Sequence, residues 1–93
     1  MIVQFRDKRD KLIYEGGSDK RFQPGVCRKI TEKLREIDAA HEIDDLKFPP
    51  SNKLHPLQNN RAGQHAIWVN GPIRICFRWN DGNVIIEFIG DYH

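Results

Sequence analysis

Between Ser51 and Asn80 the chain carries no carboxylate, yet this stretch holds Lys53, His55, Arg61, His65, Arg74 and Arg78. Imidazole is the side chain whose unperturbed pKa lies nearest neutrality, so it can take or give a proton at physiological pH. Guanidinium presents a planar fork that matches pairs of phosphate oxygens. Together these types make a footprint for a polyanion, and they also fit a solvated basic face. His41 precedes the stretch, and His93 follows Asp91 and Tyr92 at the other end of it. No CxxC and no Cys/His ligand spacing accompanies them, so neither a metal nor any other cofactor is expected.

The rest of the chain bounds what can position such residues. Its 93 residues imply one domain, 1–93, in which folding buries about 60–65% of the unfolded surface. Hydrophobic residues make up 39% and charged residues 30%, ordinary for a soluble globular protein and too apolar for a disordered one. The net charge of +2 hides an alternation of sign: residues 1–35 are basic, 36–50 acidic, 51–80 basic and 81–93 acidic. Charge arrives at Arg6, Asp7 and Lys8, before any apolar run long enough for a signal peptide or a membrane span, and a cytoplasmic protein is expected. There Cys27 and Cys76 would stay reduced and serve as small apolar side chains.

Ile2, Val3 and Phe5 read as a short strand, and Asp7 as the N-cap of a helix over Lys8 to Glu15 that Gly16-Gly17 ends. From Pro24 to about Ala40, Val26, Ile30, Leu34 and Ile37 recur at helical spacing, with Arg28, Lys29, Glu32, Lys33 and Glu36 opposite. Residues 41–64 are rich in Pro, Asn and Gly and predict a long connection with one helical turn near Glu42 to Leu46. Leu46, Phe48, Leu54 and Leu57 within it predict an ordered, packed loop.

Asn70-Gly71 and Asp81-Gly82 suit type I′ turns and divide three strands, His65 to Val69, Ile73 to Trp79 and Asn83 to Ile89. In the middle strand Ile73, Ile75, Phe77 and Trp79 alternate with Arg74, Cys76 and Arg78, which sets an apolar face against a face with two guanidiniums. The expected fold is α+β: an N-terminal strand and two helices packed on an antiparallel sheet with a C-terminal three-stranded meander. The second helix covers the Ile/Phe face and leaves the Arg face open. His41 and His65 read as structural, and Trp68 and Trp79 as core or sheet-surface packing.

Several words of the sequence resemble the HigB toxins, a branch of the RelE/ParE-like superfamily: Lys53-Leu54-His55-Pro56-Leu57, Asn60-Arg61-Ala62-Gly63-Gln64-His65, Ile73-Arg74-Ile75-Cys76-Phe77 and Asp91-Tyr92-His93. Their order and spacing carry the resemblance over nearly the whole chain. It implies a RelE-like fold and a metal-independent endoribonuclease that enters the A site of the 70S ribosome and cuts translated mRNA. It implies as partner a HigA-like helix-turn-helix antitoxin, through which alone the toxin meets operator DNA. One departure is Gln58, two residues after Pro56, where some members of the family have Lys.

On this resemblance His55, Arg74, Asp91, Tyr92 and His93 are the catalytic candidates, and Lys53, Gln58, Arg61 and Arg78 the RNA-binding ones. Cleavage by the RNA's own 2′-hydroxyl needs a base, an acid for the leaving 5′-oxygen and cations for the phosphorane-like charge. His93 is placed as base with Asp91 supporting it, and His55 and Arg74 at the scissile phosphate, although the two imidazoles could exchange roles. Tyr92 would stack on a base or donate a hydrogen bond. Read without the resemblance, His55 also fits an exposed loop imidazole, Arg74 a solvent-facing strand residue, and His93 a frayed chain end. Two rival functions share the fold or the charge: a ParE-like poison of DNA gyrase, and a non-catalytic RNA-binding inhibitor of translation or ribosome assembly.

Overall fold

Cys27, Ile30, Leu34 and Ile37 form the buried stripe of the long helix α2, Pro24–Ala39. Pro24 occupies its first turn, where a missing N–H costs nothing. The stripe begins one residue later than the spacing predicts, because Cys27 is buried while Val26 only borders the core. The computed structural model describes residues 1–91. Ahead of α2 stand strand β1, Ile2–Phe5, and helix α1, Lys8–Tyr14, and after it strands β2, His55–Pro56, β3, His65–Asn70, β4, Ile73–Asn80, and β5, Asn83–Gly90.

Asp7 caps α1 as the sequence predicts, its carboxylate accepting from Arg9 N–H at 2.9 Å. At the other end Gly17 N–H donates to Leu12 O and Gly16 N–H to Ile13 O, the paired bonds of a Schellman motif. Thr31 Oγ1 donates to Ile13 O at 2.8 Å and ties the two helices together.

The five strands lie in the order β1-β5-β4-β3-β2. The meander is antiparallel, but β1 joins its far edge parallel to β5, so the sheet is mixed rather than antiparallel throughout. A four-residue opening strand shows no orientation in its own sequence; the helices between β1 and the meander return the chain so that the two run the same way. One face of the sheet meets the helices: Ile67, Val69, Ile75, Phe77, Val84, Ile86 and Ile89 pack with Ile13 and the α2 stripe in a single core.

The Asp81-Gly82 turn has positive φ at both central residues, 52° and 84°, as type I′ requires. The other turn differs from expectation. Asn70 pairs with Ile73, so its central residues are Gly71 and Pro72, with φ of 53° at Gly71. Proline cannot take positive φ, and the arrangement is therefore of the II′ kind.

The connection over residues 41–64 is ordered by short elements: 3-10 turns at Ile43–Lys47, Pro50–Asn52 and Asn59–Arg61, and the two-residue strand β2. Glu42 and Asp45 form a reciprocal capping box on the first turn, close to the predicted one. Sequence patterning passes over β2, because two residues, one of them proline, show no period. Asn52 is fully buried: its Nδ2 donates to Leu46 O and Phe48 O, both at 3.2 Å, and its Oδ1 accepts from Lys33 Nζ at 2.7 Å. This side chain hydrogen-bonds the loop to α2.

Candidate functional site

The open face of the sheet is built row by row from the strand register. His55 pairs with Ala66, Ala66 with Cys76 and Cys76 with Phe88; the next row is Trp68, Arg74 and Gly90. Directly paired residues point to the same face, so His55, Arg74, Cys76, Phe88 and Trp68 share the side away from the helices. His55 and Arg74 are two strands and two residues apart, roughly 12 Å between Cα atoms from standard strand spacings, which long side chains can close to one phosphodiester.

His55 Nδ1 lies 2.7 Å from Lys53 O. A carbonyl only accepts, so Nδ1 carries the proton in this bond. Lys53 aims that carbonyl from a left-handed backbone, φ 52°, which for a residue with a Cβ costs on the order of 1–2 kcal/mol.

Arg74 is turned toward the end of the sheet, where its Nη1 donates to Gly71 O at 2.9 Å and Ile73 O at 3.3 Å. Arg61, in the loop, lays its guanidinium over the Phe88 ring with the carbon 4.7 Å from the centroid. Arg78 Nε donates to Glu87 Oε2 at 2.9 Å, and Arg6 Nε to Glu87 Oε1 at 3.2 Å. Gln58 is exposed at the start of the Asn59–Arg61 turn, and Lys53 is exposed beside Trp68, its ammonium 5.5 Å from the indole centroid. The guanidinium face is thus more covered than an alternating strand predicts: Cys76 and Ala66 have no exposed surface. Burial pushes the Cys76 thiol up to about 11, against the pull of Arg61 and Arg74, so it stays protonated at neutral pH.

Glu87 and Phe88 are site residues that sequence reasoning missed. The β4–β5 register shifts between Cys76 and Phe77, so Cys76 meets Phe88 while Phe77 meets Ile86, and Glu87 is the extra residue of a bulge. Strict alternation after Val84 and Ile86 would send Phe88 into the core; the bulge turns it out beneath Arg61 and leaves the core position to Ile89. The only available signal was the unbroken apolar-acidic run Ile85-Ile86-Glu87-Phe88-Ile89, which fits either register. Gly90 follows with φ 150°, and a Cβ there would meet the Phe88 ring at 3.0 Å. The strand therefore leaves the sheet past Phe88 only with glycine at this position.

Asp91 lines a cleft of about 370 Å³ together with Arg21, Phe22, Phe88 and Gly90. Tyr92 and His93, the other two residues of the terminal catalytic triplet, lie outside the described residues. His65 faces the core side, where its ring stacks on Phe77 at 6.3 Å between centroids, and burial followed by the neighbouring His55 charge lowers its pKa. His41 is exposed in the loop. Trp79 packs against the core, whereas Trp68 stands on the open face. Among the described residues no group of three or more His, Cys, Asp or Glu could hold a metal ion, and no helix is long and apolar enough to cross a membrane.

Comparison with known proteins agrees with this geometry. A family model described as the RelE-like toxin of type II toxin–antitoxin system HigB matches residues 3–93. Toxin HigB-1 of Vibrio cholerae serotype O1 is 35% identical over 90 residues, covering 96% of this chain and 95% of the relative. Endoribonuclease HigB of Proteus vulgaris is 36% identical over 93 residues and all of both chains. Among solved structures, a YafQ mutant from E. coli superposes with a TM-score of 0.67 at 19% identity, over 99% of this chain and 92% of that one. YoeB in its complex with YefM from Staphylococcus aureus gives 0.65 at 19% identity, over 100% and 95%. At such identities the structural likeness speaks for the fold, and the full-length sequence match speaks for descent: the chain belongs to the RelE-like HigB toxins of type II toxin–antitoxin systems.

Proposed function

We propose that this toxin is a single RelE-like domain over residues 1–93 acting in the cytoplasm as a ribosome-dependent, metal-independent endoribonuclease on translated mRNA. The name of the Proteus vulgaris relative, Endoribonuclease HigB, supports the activity. The observation that carries the reading is His55, held through Nδ1 on a face bordered by Arg61 and Arg74, within a stretch of chain that has no carboxylate. A steric poison of gyrase has no use for an imidazole fixed in one tautomer.

In this mechanism the RNA's 2′-hydroxyl attacks the adjacent phosphorus and the 5′-oxygen departs. His93 takes the hydroxyl proton, with Asp91 orienting it. His55, protonated on both ring nitrogens with its Nδ1–H on the Lys53 carbonyl, gives its Nε2 proton to the leaving 5′-oxygen, and Arg74 gives up the Gly71 carbonyl to neutralise the charge that builds on the phosphorane-like transition state. Tyr92 stacks on a base or donates to the RNA. Lys53, Gln58, Arg61 and Arg78 hold the strand on either side.

The protein's antitoxin is, on the same reading, a HigA-like helix-turn-helix protein, and operator DNA is reached only through it. Primer extension on messages translated in the presence of the purified toxin tests the whole proposal. New RNA ends are expected with the wild type, and at least tenfold fewer with His93→Gln. Full activity of His93→Gln would remove that residue from the mechanism. Binding without new ends would leave a non-catalytic inhibitor, and inhibition of supercoiling in a ribosome-free gyrase assay would turn the reading toward a gyrase poison.

A further inference from the structure

Trp68 occupies a place on the open face that the catalytic reading does not use. Strand β2 pairs only with His65 and Ala66, so from Ile67 onward β3 is an edge. At this edge the Lys53 ammonium sits 5.5 Å from the centroid of the Trp68 indole, and the Lys29 ammonium, reaching from α2, sits 5.9 Å from it. The indole Nε1 donates to Gly71 O at 2.8 Å, the same carbonyl that holds Arg74 at 2.9 Å. Among the described residues the lysines in ion pairs are Lys33 and Lys47, and neither Lys29 nor Lys53 has a carboxylate partner. Two ammoniums thus lie on one half-buried aromatic ring, and its indole N–H shares an acceptor with the Arg74 guanidinium.

We infer that Trp68, Lys29 and Lys53 form a subsite for single-stranded RNA next to the cleavage site, the ammoniums taking phosphate and the indole taking a base. This extends the reading of the open face as the RNA face. The chemistry is that of strand-tracking proteins: cations follow the backbone, and an aromatic ring accepts any base by stacking. A solvated lysine at the surface needs no aromatic partner, but two ammoniums resting on one indole form a site that a base and a phosphate can enter together by displacing them.

The position fits as well. Trp68 lies opposite Arg74 and two residues along β3 from Ala66, the partner of His55, about 7 Å along the strand. That is the scale on which neighbouring phosphates of an extended strand follow one another. Lys53 joins the two places, since its carbonyl holds His55 while its ammonium lies on Trp68. The RNA here is either the message beside the cut or ribosomal RNA lining the A site, and both offer the same phosphate and base chemistry.

The test uses the full-length protein carrying His55→Ala, so that binding is read apart from cleavage. Into this background go Lys29→Gln with Lys53→Gln, Trp68→Leu and Trp68→Phe, each checked for its fold by circular dichroism and urea midpoint. The probes are a fluorescein-labelled oligouridylate of about ten nucleotides and ribosomes programmed with a message. Loss of two ammoniums should lower the slope of log affinity against log salt by about 1.4, at about 0.7 for each single-strand contact. Trp68→Leu should weaken binding about fivefold or more, and Trp68→Phe should restore part of it. Weakening on both probes assigns the subsite to the message, and weakening on ribosomes alone assigns it to ribosomal RNA; either supports it. Unchanged affinity and slope on both probes would overturn it. If the wild type yields no new RNA ends while these variants still lose binding, the nuclease reading falls and the subsite stands.

Discussion

At the scale of single residues, the proposed cleavage depends on directing a proton to one nitrogen. The Lys53 carbonyl holds His55 by Nδ1, and in the proposed mechanism Nε2 exchanges the proton. Replacing His55 by Gln keeps a donor of similar reach but removes the exchangeable proton, and should cut message cleavage by about a hundredfold or more, measured as new 5′ ends per translated message. Arg74→Lys keeps the charge and loses the planar fork; a fall in cleavage with little change in stability is expected, since both hydrogen bonds of Arg74 are to carbonyls at the sheet end. The place of Arg74 on the face away from the helices was legible in the alternation of Ile73, Ile75 and Phe77 with Arg74 and Cys76, whereas the candidacy of His55 came from the family resemblance. Phe88 and Glu87 were not, because what places them on this face is an extra residue in a strand, and the sequence 83–90 reads equally well without one.

The elements that hold these residues are short, and each is fastened by few bonds. Asn52 hydrogen-bonds the loop to α2, so Asn52→Ala would take its amide from the Leu46 and Phe48 carbonyls and leave Lys33 on its Glu36 ion pair; a loss of about 1–3 kcal/mol in urea unfolding is expected, with cleavage falling further than stability because Lys53 and His55 follow directly. Nothing about an Asn in a proline-rich segment distinguishes a buried latch from a turn residue, which is why the sequence marked this position only as a breaker. Helix α1 offers a test by pH. Hydrogen bonds from Arg9, first through its side chain and then its backbone N–H, hold the Asp7 carboxyl at about 2. A carboxyl whose folded pKa is depressed stabilises the fold above its unfolded value near 4 and loses that contribution as pH falls toward 2. Stability of the wild type should therefore drop between about pH 4 and pH 2 more than that of Asp7→Asn, which keeps a capping oxygen without the charge.

For the whole molecule, one core lies between two helices and one face of the sheet, and the other face is left for function. Ile30 is fully buried in that core, and Ile30→Ala should lower stability by about 2–5 kcal/mol while leaving the denaturant slope unchanged. Cys27 belongs to the core and Cys76 to the opposite face, so the sheet stands between the two thiols. Neither should react with a thiol reagent in the native protein, and both should react once it is unfolded; rapid native labelling of Cys76 would contradict its burial. The amino-acid sequence alone determined the α2 stripe, the Asp7 cap, the Asp81-Gly82 hairpin and the carboxylate-free basic stretch, because each arises from neighbours within a few residues. Tertiary structure decided the parallel placement of β1, the bulge that exposes Phe88, the Asn52 latch and the meeting of Lys29 with Trp68. These depend on residues far apart in the chain coming to share one space, and local preference is indifferent to that.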